Sequence, residues 1–145
     1  MKYLVAGLGN IGSEYEHTRH NIGFDVVDSL AAGSEGVVFK SDRKASVATI
    51  KHKGRTIILI KPNTYMNLSG EAVKYWLDKE KIPVENLLVI ADELALPFGQ
   101  IQIRPKGGSA GHNGLTNIIE ELNTEEFARV RFGIGGDYPK GAQVN

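Results

Sequence analysis

Apolar residues occur along this chain in two different spacings. Short runs rich in β-branched residues predict strands, and apolar residues that recur about every three to four positions predict helices. The predicted strands cover residues 2–6, 36–40, 45–51, 56–61, 87–91, 100–104 and 129–134, and the predicted helices cover residues 22–32, 69–79 and 114–122. Ser69, which precedes Glu71, is expected in the N-cap region of the second helix.

The order of these elements predicts an α/β fold with a central sheet and helices on both faces. The strands at 56–61 and 87–91 bracket a helix, which is typical of a parallel pair. Gly99 precedes the strand at 100–104 and indicates a turn into a further strand, so we expect a mixed sheet. The 145 residues fit one domain, because no linker or internal repeat divides them.

The composition narrows the class of protein. Hydrophobic residues make up 41% of the chain and charged residues 23%, which is ordinary for a folded globular protein. No apolar run approaches the ~20 residues of a membrane span, and residues 1–7 carry too short an apolar stretch for a signal peptide. We therefore expect a cytoplasmic protein without a membrane partner.

The absence of cysteine and the balanced charge exclude some chemistry. Without cysteine there is no disulfide framework, no thiol nucleophile and no cysteine-ligated zinc. The 17 Lys and Arg residues are matched by 17 Asp and Glu residues. A protein that coats nucleic acid by neutralising phosphates is usually strongly basic, so the net charge gives no support to such a partner. A local basic patch would still serve an enzyme that must release its product.

The glycines after the first strand invite a nucleotide-binding interpretation. Residues 7–12 satisfy the pattern G-x-G-x-x-G, which binds dinucleotides only when a helix starts at the turn and an acidic residue ends a second strand. Residues 13–21 lack an apolar helical stripe, and Asp25 and Asp28 lie inside a helical pattern. The context disfavours nucleotide binding, and a tight turn explains the glycines alone.

Polar residues then cluster in the same loop. Asn10, Arg19, His20 and Asn21 follow the end of a strand, where open α/β sheets place their ligands. His20 is the natural general base because imidazole titrates near neutral pH, although a histidine in a loop is more often solvated or structural. His17 and His20 have the spacing of a metal pair, but no second cluster completes a site, so we predict no bound metal.

Two further strand ends carry polar side chains. Asn63 and Asn67 follow the strand at 56–61, and a turn with a helix cap explains Asn63 better than it explains Asn67. A second amide beside His20 would suit carbonyl or water binding. Asp92 ends the strand at 87–91, where a carboxylate can accept the Nδ1–H of a histidine. The alternative is that Asp92 is an acid in a surface loop.

The segment 104–114 leads into the third predicted helix. Its glycines leave backbone N–H groups open, and Arg104 and Lys106 flank them, which favours an oxyanion or phosphate cradle. It is not a Walker A loop, because Gly-Lys-Ser/Thr does not close it. Asn113 lies near the helix start, where capping is the alternative role.

Taken together, these loops resemble the bacterial-type peptidyl-tRNA hydrolases. The segments that carry the resemblance occur in the family's order, at residues 5–10, 18–24, 61–70, 92–99, 107–115 and 127–135. The resemblance implies a three-layer α/β/α sandwich with a central mixed β-sheet. It also implies hydrolysis, without a cofactor or metal, of the ester that joins a peptide to the 3′ ribose of tRNA, by a monomer.

The resemblance also implies roles for individual residues. His20 would be the catalytic base, Asp92 its carboxylate partner, and Asn10 a catalytic amide. In this mechanism His20 deprotonates a water that attacks the ester carbonyl, and the amides stabilise the oxyanion. The residues expected to contact the peptide, the acceptor end or the tRNA 5′ phosphate are Tyr15, Met66, Asn67, Arg104, His112, Asn113 and Arg131.

The sequence departs from the family's pattern at three residues and in its length. Ala91 stands where histidine is common, Ala95 where aspartate is common, and Arg104 where other members have lysine, which keeps the charge but changes its geometry. The family usually continues through a C-terminal helical region, which we expect residues 1–145 to lack. An RNA-binding or ribosome-associated module on the same scaffold, with weak or lost esterase activity, is therefore the alternative function.

Overall fold

A computed structural model describes residues 1–10 and 21–135 and shows strands and helices in alternation. Short 3-10 helices at Met66–Leu68 and Val84–Asn86 precede α2 and β5. In chain order the strands and α-helices are β1 (Lys2–Gly7), α1 (Ile22–Ala32), β2 (Lys40–Asp42), β3 (Ala45–His52), β4 (Arg55–Pro62), α2 (Ser69–Glu80), β5 (Leu87–Glu93), β6 (Ile101–Arg104), α3 (Asn113–Leu122) and β7 (Ala128–Gly133).

The described strands form one seven-stranded sheet in the order β2-β3-β4-β1-β5-β7-β6. Its centre is parallel: β1 lies between β4 and β5, and β7 continues beside β5. The outer strands β3 and β6 run antiparallel to their neighbours. The predicted mixed sheet is confirmed, and the strands expected to form a parallel pair, β4 and β5, are parallel with β1 inserted between them.

The helices cover both faces, as the α/β/α prediction requires. On one face α1 packs Val27 and Ala31 against a cluster that includes Val5 of β1. On the other face α2 and α3 pack against Leu4 and Ala6. Successive residues of a strand point to opposite faces, so a strand buried on both sides reads as a continuous apolar run. This explains why β1, β4 and β5 could be predicted from the sequence.

Helices α2 and α3 approach closely through one glycine. A Cβ on Gly70 would lie 2.5 Å from the carbonyl oxygen of Asn117, a distance that real side chains do not tolerate. The backbone N–H of Gly70 instead donates to Asn117 Oδ1 over 2.7 Å. The contact fixes the start of α2 relative to α3, and both helices begin at the same edge of the sheet.

The predicted strand at 36–40 is wrong, because the strand begins only at Lys40. Gly36 has a φ of 78°, and the N–H of Val37 donates to Ser34 O in the turn that follows α1. Val37 and Phe39 pack against the α1 side of the core. The apolar pattern of this segment therefore records its burial and not a strand, because the N–H of Val37 is already bonded in a turn.

The predicted cap at Ser69 is also wrong in its detail. The N-cap residue of α2 is Leu68, and Ser69 is the first helical residue. The Ser69 hydroxyl donates backward to Met66 O over 2.7 Å. The preceding 3-10 turn therefore leads directly into the helix, and the serine joins the two.

Candidate active site

The carboxyl ends of four parallel strands lie at one edge of the sheet. These are β4, β1, β5 and β7, in that order across the sheet. Ligands in open α/β sheets bind at this edge. Most of the polar loop residues singled out in the sequence follow one of these strands or precede α3.

The glycines at the end of β1 allow helix and strand to touch. A Cβ on Gly7 would collide with the carbonyl oxygen of Gly23 in α1, and one on Gly9 would lie 2.8 Å from the Phe24 ring. Helix α1 starts at Ile22, well beyond the glycine turn. The glycines therefore serve close packing of α1 on the end of β1, which agrees with the rejection of the nucleotide-binding interpretation.

Asn21 fixes the backbone of Asn10. The Asn10 N–H donates to Asn21 Oδ1 over 2.6 Å, and Asn21 Nδ2 donates back to Asn10 O over 2.9 Å. Asn21 is only 2% exposed. The sequence placed Asn21 in the polar cluster but did not predict this paired amide contact. Tyr15, Arg19 and His20 lie outside the described residues, so their predicted roles stay predictions.

Asp92 is buried and pairs with a histidine on another element. It is 6% exposed, and His112 Nε2 lies 2.8 Å from its Oδ1. The alternative of a surface loop acid is thereby excluded. The predicted partner of Asp92 was His20, and that contact remains a prediction; the contact with His112 was not foreseen, although both residues were placed in one site.

The other nitrogen of His112 caps α3. His112 Nδ1 accepts from the backbone N–H groups of Gly114 and Leu115, at 3.0 and 3.2 Å. Asn113, offered in the sequence as a possible cap, is instead the first residue of the helix. His112 therefore joins the start of α3 to the end of β5.

Loops after β1 and β4 meet this helix start. A Cβ on Gly114 would lie 2.8 Å from Met66 Sδ, 2.9 Å from Leu8 Cδ1 and 3.1 Å from His112 Cε1. Leu8, Met66 and His112 are thus brought together at one point, as expected for Met66 and His112. Asn67 and Asn113 are each adjacent to one of these residues in the chain, and both are exposed.

A basic cavity of about 430 Å³ lies beside the segment that leads into α3. It is lined by Gln102, Arg104, Lys106, Gly107, Gly108, Ala110 and Arg131. Arg131 Nη1 lies 3.2 Å from Glu93 Oε1, and Arg131 Nη2 donates to the Gly108 carbonyl. Arg104 is exposed. The structure therefore places both cations predicted to bind the 5′ phosphate in one cavity, with Lys106 as a third.

Arg129 is fully buried and shares the Gly108 carbonyl with Arg131, a residue that lines the cavity. It donates to the carbonyl oxygens of Gly108, Glu125 and Phe127, and its guanidinium stacks 4.2 Å from the centre of the Phe127 ring. Burial, and next the charge of Arg131, lower the pKa of Arg129 below its ordinary value. Period-two alternation along the strand puts Arg129 on the same face of β7 as Arg131, but it does not show that Arg129 is buried.

Two kinds of feature are absent from residues 1–10 and 21–135. Across these residues no group of three or more His, Asp or Glu side chains is placed to hold a metal ion. The helices of the same residues are all too short or too polar to cross a membrane.

Comparison with known sequences identifies the family. A sequence profile described as "Peptidyl-tRNA hydrolase" matches residues 4–145, nearly the whole chain. The chain belongs to the peptidyl-tRNA hydrolase family. The peptidyl-tRNA hydrolase of Phocaeicola vulgatus is 57% identical over 145 residues, which are all of this chain and 77% of that protein. That of Parabacteroides distasonis is 59% identical with the same coverage.

A solved structure of this peptidyl-tRNA hydrolase family has the same fold. The crystal structure of peptidyl-tRNA hydrolase from Acinetobacter baumannii superposes with a TM-score of 0.88 at 38% identity. The superposition covers 95% of this chain and 70% of that chain. The resemblance drawn from the loops and the predicted α/β fold are both confirmed.

Proposed function

We propose that this chain hydrolyses the ester between a peptide, or another N-blocked aminoacyl group, and the 3′ ribose of tRNA, and so recycles peptidyl-tRNA. The observation that supports this most directly is the buried Asp92–His112 pair at the carboxyl edge of the sheet, in a chain that belongs to the peptidyl-tRNA hydrolase family. A buried carboxylate at a strand end, held by a histidine, is suited to orient a catalytic base.

In the proposed mechanism His20 removes a proton from water, and the resulting hydroxide attacks the ester carbonyl. The tetrahedral intermediate then breaks its bond to the 3′ ribose oxygen, which takes up the proton from His20. Asp92 orients the His20 ring and stabilises its cationic form. The amides of Asn10, Asn67 and Asn113 hold the carbonyl, the 3′ end and the water. Each oxyanion donor contributes up to about 3–4 kcal/mol to the transition state in comparable enzymes. The paired contact between Asn21 and the backbone of Asn10 supports this role, because it fixes the backbone that carries the Asn10 side chain.

The substrate in this proposal is recognised by its acceptor end. Arg104 and Arg131 would hold the 5′ phosphate in the basic cavity, since phosphate contacts position a nucleic acid without reading its sequence. Met66 and His112, with Tyr15, would line the cleft that receives the ester. We further propose that the enzyme acts in the cytoplasm as a monomer and needs no cofactor.

The test is release of an N-acylated amino acid from tRNA by this chain in the presence of EDTA. We expect turnover that disappears in His20→Ala, because only the base is lost. His52→Ala is the matched control, since His52 is exposed and pairs with Arg55 at the amino end of β4, the opposite edge of the sheet. It should retain the parental rate.

Two outcomes would contradict the proposal. A folded His20→Ala variant with a near-parental rate would reject the assigned base. A folded parental chain that binds tRNA without turnover would favour the alternative of an RNA-binding module on the same scaffold. Circular dichroism of each variant establishes that it is folded before rates are compared.

A further inference from the structure

Both ring nitrogens of His112 have defined and different partners. Nδ1 faces two backbone N–H groups at the start of α3, Gly114 at 3.0 Å and Leu115 at 3.2 Å. A backbone N–H can only donate, so Nδ1 must carry a lone pair and not a proton. A neutral imidazole then has its proton on Nε2, which is the nitrogen 2.8 Å from Asp92 Oδ1. The helix start therefore selects the tautomer that donates to Asp92.

The backbone of His112 is equally fixed. Its N–H donates to Ser109 O over 3.0 Å, and its carbonyl accepts from the N–H and the hydroxyl of Thr116, at 2.9 and 3.0 Å. A histidine with both backbone groups and both ring nitrogens bonded has little freedom to turn. A group that hydrogen-bonds to Nε2 of His112 is therefore also held in a fixed position.

We propose that His112 is a positioning residue that acts through Asp92. The α3 start locks its Nε2–H tautomer, and that proton holds one oxygen of the Asp92 carboxylate in the orientation that serves the catalytic base. The inference rests on the proposed function, in which Asp92 orients His20. A carboxylate has acceptor capacity for several donors, so one bond from His112 leaves capacity for a second histidine.

The burial of the pair strengthens the hydrogen bond between His112 and Asp92. The side chains of His112 and Asp92 are 12% and 8% exposed, so solvent screens the contact little. Hydrogen bonds to an ionised group are stronger than neutral ones, and they are shorter. With β5 supplying the carboxylate and α3 supplying its donor, the group's orientation is fixed by two elements rather than by its own rotamer.

Two substitutions separate the cap from the positioning contact. In His112→Asn the amide oxygen occupies the place of Nδ1 and asparagine is a strong N-cap residue, but nothing reaches Asp92. In His112→Gln the longer side chain brings an N–H to the place of Nε2, and the cap is lost. The experiment measures kcat, KM and the melting temperature of both variants, with His52→Asn and His52→Gln as matched controls.

We expect the two variants to differ in kcat. His112→Asn should lower Tm by about 2–4 °C, because the buried Asp92 carboxylate loses this donor, and should lower kcat by about ten- to a hundred-fold at nearly unchanged KM. His112→Gln should keep most of the kcat while its Tm falls by about 2–4 °C through loss of the cap. Near-parental kcat in His112→Asn, or a kcat that simply follows Tm in both variants, would overturn the inference.

A measurement independent of turnover keeps the inference apart from the proposed function. Nitrogen NMR of the histidine ring distinguishes a protonated from an unprotonated nitrogen. We expect unprotonated Nδ1 and protonated Nε2 for His112, with the Nε2 resonance moving in Asp92→Asn. If the parental chain has no turnover, the proposed function fails. If the NMR shows a protonated Nδ1 at neutral pH, the tautomer lock fails whatever the turnover.

Discussion

The basic cavity yields a prediction whose sign runs against simple intuition: removing a charge from an acidic residue should tighten substrate binding. Three cations, Arg104, Lys106 and Arg131, line the cavity. Glu93 pairs with Arg131 at 3.2 Å, and the two side chains are only 11% and 12% exposed. Glu93 therefore cancels about one of the three positive charges that a phosphate would meet.

The magnitude follows from Coulomb's law. A unit charge about 8 Å from the bound phosphate, at an effective dielectric of about 40, contributes about 1 kcal/mol. Glu93→Gln should thus lower KM about five-fold at low salt. Glutamine is isosteric and keeps an acceptor for the Ala95 N–H, which donates to Glu93 Oε2, so the loop geometry is preserved. Arg131→Met should do the opposite and raise KM about ten-fold.

The assay is KM for N-acyl-aminoacyl-tRNA as a function of salt. Arg131→Met should lower the slope of log KM against log salt by about one, because one phosphate contact is lost. At high salt both variants should approach the parental KM, since screening weakens the contact.

Glu35→Gln is the control with the same change in net charge. Glu35 is exposed in the turn that follows α1, beyond the end of the helix that lies away from the site edge. Its KM should equal the parental value at every salt concentration. A rise in KM for Glu93→Gln, or an equal fall for Glu35→Gln, would refute the reasoning that the cavity holds the phosphate and that Glu93 moderates its charge.

Two predictions concern stability and are checked by urea denaturation. Gly70→Ala should lower the free energy of unfolding by about 1–3 kcal/mol, because the new methyl group meets backbone atoms. The control Gly33→Ala should change it by less than about 0.5 kcal/mol, because its methyl group would have 3.6 Å of clearance and the φ of Gly33 is −73°. Equal effects of the two substitutions would contradict the packing argument. Arg129→Met should lower the free energy of unfolding by about 2–3 kcal/mol, because it leaves buried carbonyl groups without a donor. A variant more stable than the parent would mean that the cost of desolvating the buried cation exceeds the gain from its hydrogen bonds.

The sequence predicted those elements whose burial is periodic. Strands β1, β3, β4 and β5 and all three helices were placed to within a residue or two, because alternate or helical spacing of apolar residues records which face is buried. The same signal failed at 36–40. Val37 and Phe39 are packed against the core, yet periodicity does not show whether their amides find a strand partner.

The sequence did not predict how the residues of the candidate site contact one another. Sequence proximity to strand ends and the family resemblance placed Asp92 and His112 together. The bond between them joins residues twenty positions apart, and the cap on α3 depends on a side-chain orientation that no local pattern encodes. The burial of Arg129 was missed for a related reason, because its partners are backbone carbonyls and carry no residue-type signature.

The central place of β1 has a consequence for the order of events during synthesis. Leu4 pairs with Ile58 on one side and with Leu87 on the other, about fifty and eighty residues later in the chain. β1 therefore leaves the ribosome well before the strands that enclose it, and its apolar side chains stay uncovered until β4 and β5 have been made. Non-local pairing of this kind slows folding and leaves apolar surface exposed meanwhile. An enzyme proposed to clear unfinished peptides from tRNA would thus itself make a nascent chain that a stall before residue 87 leaves without its core.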